Sequence, residues 1–249
     1  MDVGIQFLLM LWLATSTAVG QEEMPAGPPT LDIATLNLST LSAWRTQTYR
    51  SFNEVFRRYG TVQLVTEIEQ DFVRFRDVRS FICEGESIQM TMESVHRNDP
   101  TLTLVELSGS IEMEPERWCD LGKGSTRFPV LGTDEEAPAH GFTLEPGVLT
   151  GMVLFRLVTL LPKEAGRAWL IPSLVTFGSM EGTGYLLTCL GTESAIIEGD
   201  QTELTWYRLV RQDDVKVSDN LEFWVDEQGH LARWAMGSRD IAIRVSEEP

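Results

Sequence analysis

The chain has 249 residues, with 20 basic against 37 acidic side chains and a net charge of −17. That field opposes binding to nucleic-acid phosphates and to anionic bilayer surfaces, and no nucleic-acid partner is expected. Three cysteines with no Cys-x-x-Cys spacing, and three histidines with no pair at helical offsets, provide no metal-ligand pattern.

In chain order, residues 5–19 begin with the apolar run Ile5-Gln6-Phe7-Leu8-Leu9-Met10-Leu11-Trp12-Leu13-Ala14, and small residues ending Ala18-Val19-Gly20 follow before Gln21. This is the pattern of a secretory signal cleaved near Gly20, and the core is shorter than the roughly 20 apolar residues of a membrane span. Residues 1–20 are therefore expected to be removed, leaving an exported chain (periplasmic, envelope or extracellular) without a stable membrane span. Residues 21–40 start with the polar, Pro-rich stretch Gln21 to Leu31 and are expected to be a disordered lead-in. A single domain is expected over residues 41–249.

Between Ser42 and Tyr59, Trp44, Phe52, Val55, Phe56 and Tyr59 fall at offsets of three and four, with Arg57, Arg58 and Gly60 at the end. The spacing predicts a helix over about residues 47–59. From Val62 the period becomes two: Val62, Leu64, Thr66 and Ile68 alternate with polar residues. Phe72–Phe75, Ile88–Glu93, Leu102–Val105 and Ile111–Glu114 continue the pattern, separated by turns at Gly85, Asn98-Asp99-Pro100 and Gly109. Residues 120–147, broken by glycines and prolines, read as a long loop.

Residues 148–161 are the most apolar stretch after the signal, with Arg156 the only charge and Pro162 at the end. At about 14 residues the segment suits a helix buried on nearly every side, plugging the concave side of a sheet. Leu174–Phe177, Tyr185–Leu190 and Leu204–Val210 then read as strands, the last two joined through Gly199-Asp200. Leu221-Glu222-Phe223-Trp224-Val225, a turn at Asp226-Glu227-Gln228-Gly229, and Leu231-Ala232-Arg233-Trp234 form a hairpin. Ile241, Ile243 and Val245 follow as a third strand. Leu221, Phe223 and Val225 share one face; Glu222, Trp224 and Asp226 share the other, which is expected to be mostly wet. The fold class is mainly β (α+β): a curved antiparallel sheet or half-barrel with one or two helices on its concave side.

The layout from the short helical segment to Leu160-Leu161-Pro162, with Gly191-Thr192-Glu193 and the Trp-x-Asp-x-x-Gly-x-Leu-x-Arg core of the hairpin, resembles exported half-barrel proteins of unassigned function. It is similar to the lipoprotein-localisation carriers of the bacterial periplasm. That resemblance implies a concave apolar side covered by helices, which in the carriers holds acyl chains, and it transfers no defined functional residue.

Chemistry tested against the residues gives little. Gly122-Lys123-Gly124-Ser125-Thr126 has the wrong glycine spacing for a phosphate loop, and Asp134-Glu135-Glu136 lacks the alternating ligands of a calcium loop, so no cofactor or metal site is expected. Gly178-Ser179-Met180-Glu181-Gly182 misplaces the serine of a nucleophile elbow. The leading expectation is a non-enzymatic exported protein that binds a lipid, a lipoprotein segment or a partner chain in a cleft lined by Trp44, Trp169, Trp206 and Trp224. Trp118 and Trp234 are further candidates for the lining. A secreted hydrolase with a loop-borne site near His140, and an envelope scaffold with a filled core, are the alternatives. Cys83 with Cys119 is the candidate disulfide in an oxidising compartment, against three small buried apolar residues.

Overall fold

The computed structural model describes residues 27–43, 46–53, 58–83, 86–114, 126–128, 149–172, 174–175, 184–197, 199–212, 220–237 and 240–245. Alternation of apolar and polar side chains builds one meander from β1 (Thr46–Asn53), β2 (Arg58–Ile68), β3 (Phe72–Cys83), β4 (Glu86–Arg97), β5 (Leu104–Glu114) and β6 (Thr126–Phe128). After β7 (Leu149–Thr150), β8 (Ala168–Ile171) and β9 (Leu174–Val175) come the strands of the second meander: β10 (Tyr185–Ile197), β11 (Asp200–Arg211), β12 (Leu221–Val225), β13 (Leu231–Met236) and β14 (Asp240–Val245).

The two meanders are one sheet because the first strand pairs with the last. β1 lies antiparallel to β14, with Tyr49 opposite Arg244 and Phe52 opposite Ile241. The resulting order is β6-β5-β4-β3-β2-β1-β14-β13-β12-β11-β10-β8, antiparallel throughout, while β7 and β9 form a short parallel pair apart from it. The sheet is curved and not closed into a barrel, as the alternating pattern and the single buried apolar segment led one to expect.

That segment is the helix α1 (Gly151–Leu157), continued by a 3-10 turn over Val158–Leu160. Thr150 caps it, its hydroxyl oxygen accepting from the Val153 N–H at 3.3 Å. Every residue from Met152 to Thr159 is buried. The main core surrounds these residues and takes Tyr49, Val62, Leu64, Val73 and Phe75 from the first meander and Tyr207, Phe223, Val225 and Trp234 from the second. Each full burial of such a side chain contributes about 1.5–3 kcal/mol, so α1 is fastened by its apolar surface. No helix among the described residues is long and apolar enough to cross a membrane.

Three expectations are corrected. The helix expected over residues 47–59 is, where it is described, strand β1 and the start of β2. Its alternate residues are held by pairing to β2 on one side and β14 on the other, and this outweighs the helical spacing of Phe52 and Tyr59. Gly109 is not a turn; it lies within β5 opposite Met92. The lead-in expected to be disordered over residues 21–40 is ordered where it is described. Leu31 N–H donates to the Leu170 carbonyl and Leu170 N–H to that of Pro29, both at 2.8 Å, so this segment covers the outer edge of β8. Leu41, just beyond, is in the core.

Candidate functional site

The concave face can be built up from α1. Arg156 projects from the helix into the sheet and is fully buried. Its Nη1 donates to Asp77 Oδ1 and to the Met152 carbonyl, both at 2.9 Å. Nη2 donates to the carbonyls of Val65 at 3.1 Å and Arg76 at 3.4 Å, and Nε to Thr66 Oγ1 at 3.4 Å. All five N–H groups of the guanidinium thus meet acceptors, the condition under which a buried ion pair is tolerated. Phe155, one residue earlier, meets Phe223 and Trp234 edge to face at 5.5 and 5.2 Å.

A second polar chain ties the helix start to β4. His96 is buried, with Nδ1 at 2.7 Å from the Leu102 carbonyl and Nε2 at 3.0 Å from Ser94 Oγ; Ser94 Oγ is 3.5 Å from the capping Thr150 Oγ1. Burial pushes the imidazole down to about 4. The neutral ring then donates from Nδ1 to Leu102 and accepts the Ser94 hydroxyl proton at Nε2. This serine–histidine pair is spent within the core.

The helix exit is pinned to the hairpin turn between β12 and β13. Lys163 Nζ donates to the carbonyls of Asp226 and Glu227 at 2.7 and 3.2 Å, and Tyr207 donates to that of Leu161 at 3.3 Å. Asp226 itself is buried and accepts from the His230 amide at 2.7 Å and from Arg244 at 2.9 Å.

Beyond α1 the same face of β3 and β4 continues. Phe81 stands opposite Ile88 and Arg79 opposite Met90, on the side that carries Phe75 and Asp77. Phe81 and Met90 are half-buried and Ile88 is 7% exposed, and neither Ile88 nor Met90 belongs to the cluster that packs round α1. The Arg79 guanidinium lies 5.3 Å from the centre of the Trp234 ring. In sheet order β3 and β13 are separated by β2, β1 and β14, a path of about 19 Å at ordinary strand spacing. A single arginine spans the gap, so the sheet curls round this face.

No family model matches the chain, and no curated protein does. Among solved structures it is similar to the beta-barrel-like protein of the domain of unknown function DUF1849 from Brucella abortus. The TM-score is 0.50 at 8% identity, covering 81% of this chain and 95% of that one. It is also similar to a DUF1089 family protein from Pseudomonas aeruginosa, with a TM-score of 0.36 at 15% identity over 71% of this chain and 89% of that one. The first likeness concerns the fold: an antiparallel, barrel-like sheet of unassigned function.

Of the four tryptophans expected to line a cleft, the three that are described do not share one face. Trp169 is in the main core, with Arg167 5.5 Å from its ring. Trp206 and Trp224 occupy the opposite, convex face, and their expected place in the concave lining is corrected. They stack at 6.0 Å and 4° between Arg208 and Arg233, and Trp224 Nε1 donates to Glu193. That face is therefore not wet: Trp224 packs with Leu204, Ile197, Ala232 and Ala235 in a second cluster. The signal was present in the alternation itself, since Phe223 and Trp224 cannot share a face. Trp44, Trp118, Cys119 and His140 lie outside the described residues, as does the Cys83 side chain. Cys189 is buried, and burial raises its thiol pKa and keeps it inert. Arg79, Phe81 and Met90, which rim the remaining concave surface, carry no motif; only their period-two placement marks them.

Proposed function

We propose that this chain is an exported, non-enzymatic protein that binds an apolar chain, such as a lipid acyl tail or an acylated polypeptide segment, on the concave surface beyond α1. One observation carries the reading. Ile88 and Met90 face inward yet stand outside the cluster round the helix, an apolar surface that the fold's own plug does not use. Methionine suits such a surface, because its unbranched thioether adapts to ligands of variable shape. The signal-like run at residues 5–19 supports export, and the resemblance in layout to the periplasmic lipoprotein carriers supports acyl chains as the ligand class. Turnover by His96 has no support, since both of its ring nitrogens are engaged inside the core.

The test is native mass spectrometry of protein purified without detergent from its own envelope fraction. A lipid-sized mass adduct is expected on the wild type and is expected to disappear in Met90→Glu, which places a charge on the apolar surface.

A second reading is favoured by a different observation. Ile82, Tyr59 and Phe52 are neighbours across β3, β2 and β1 on the convex face and are 42%, 58% and 52% exposed. Such a row suits an interaction protein with a filled core. A clean apo mass together with retention of a protein partner, lost in Tyr59→Asp, would favour it.

A further inference from the structure

The core on the concave side also holds polar atoms that the fold leaves without partners. Trp234 is 2% exposed, yet among the described residues its Nε1 has no hydrogen-bond partner; the same holds for Asp77 Oδ2. A buried donor or acceptor without a partner is costly, so each marks a place where a partner is missing. Trp234 is held by Phe155 at 5.2 Å on the helix side, while the Arg79 guanidinium lies 5.3 Å from its ring centre. Arg79 stands opposite Met90, and Phe81 opposite Ile88, so the indole adjoins the apolar surface beyond the helix.

We propose that Trp234 Nε1–H is the donor that fixes the head of the bound chain, and that the head is a neutral acyl carbonyl, as in an ester or an amide. This inference rests on the apolar-chain reading and adds the head-group chemistry to it. A buried N–H donor that lacks a partner calls for an acceptor oxygen on the ligand. The acceptor is a neutral carbonyl rather than a carboxylate because the donor is itself neutral and its nitrogen is buried, and taking an ionised group out of water beside a neutral donor costs far more than burying a carbonyl, while Arg79 has a partner of its own. An apolar site with one or two fixed polar groups is the ordinary composition of a small-molecule site: the apolar area holds the chain and the polar group sets its register.

The experiment compares three probes of one chain length, methyl decanoate, decanoate and decane. Each competes for the protein against the fluorophore N-phenyl-1-naphthylamine, in the wild type and in Trp234→Phe. Phenylalanine keeps a ring for Phe155 and Arg79 to contact and removes only the N–H and part of the volume. Methyl decanoate is expected to bind the wild type more tightly than the other two. In Trp234→Phe its affinity falls roughly three- to tenfold, the worth of one hydrogen bond, while that of decane stays within about twofold. A parallel loss for ester and decane would show that the indole acts only through its shape, and an unchanged ester affinity would show that its N–H is not used; either overturns the proposal. Tighter binding of decanoate than of the ester overturns the neutral head. Failure of all three probes to displace the fluorophore overturns the apolar-chain reading itself.

Discussion

Arg156 is the residue on which the helix and the sheet meet. Its charge was visible in the sequence as the single interruption of an apolar run. Its partner Asp77 lies 79 residues away and looks like any acidic residue of a strand, so the pair was not legible. Removing one partner leaves the other buried and uncompensated. Arg156→Met is expected to lower the unfolding free energy by about 3–5 kcal/mol in urea denaturation, and Arg156→Met with Asp77→Leu to recover most of that loss. A loss no larger than that of a surface substitution would show that the pair is not buried in solution.

His96 makes a pH-dependent contribution. Its folded pKa of about 4 lies below the ordinary value of 6.5, because burial disfavours the charged ring. The native state therefore binds fewer protons than the unfolded one between these values. The stabilisation is fully present above pH 6.5 and is lost as pH falls towards 4, reaching about 3 kcal/mol. Comparing the melting temperatures of wild type and His96→Gln across pH 4–7 isolates this residue from the carboxylates. The wild type is expected to fall more steeply, and parallel curves would contradict the burial of a neutral ring.

At the scale of elements, close approach between strands explains a glycine whose need no motif announces. A Cβ on Gly60 would lie 2.0 Å from the Ser80 carbonyl oxygen and 2.6 Å from the Phe81 Cα, both backbone atoms that cannot swing aside. Gly60→Ala is thus expected to push β2 from β3 and cost more than about 2 kcal/mol, measured by thermal unfolding. In the sequence Gly60 reads as a helix C-cap, because Phe52 and Tyr59 fall at helical offsets. Both are more than half exposed on the convex face of the sheet, so their spacing carried no core signal. Strands β2 to β4 and β10 to β13 were legible as to existence, and the inward face of β2 and of β12 was legible from alternation. What the alternation could not convey is that both faces of the second meander are buried. Trp224 looked solvent-facing because its covering partners, Leu204 and Trp206, come from another strand.

On the scale of the whole molecule, the pairing of β1 with β14 converts two local meanders into one curved sheet, and it is a contact between the ends of the domain. No period or turn signal predicts such a pairing; it follows from two strands that each need a partner. The plug was legible, since residues 148–161 had nowhere to go but inside. The part of the concave face that remains was not, because Ile88 and Met90 resemble any other inward residues until the extent of the helix is known. The account's central claim is that this surface, and not the space already filled by α1, receives an apolar chain. Methyl NMR of the [13C-methyl]methionine-labelled protein, titrated with methyl decanoate, tests it most directly. The Met90 methyl resonance is expected to shift saturably while that of Met152, buried in α1, stays in place; an unmoved Met90 at saturating probe, or equal shifts at both, would contradict it.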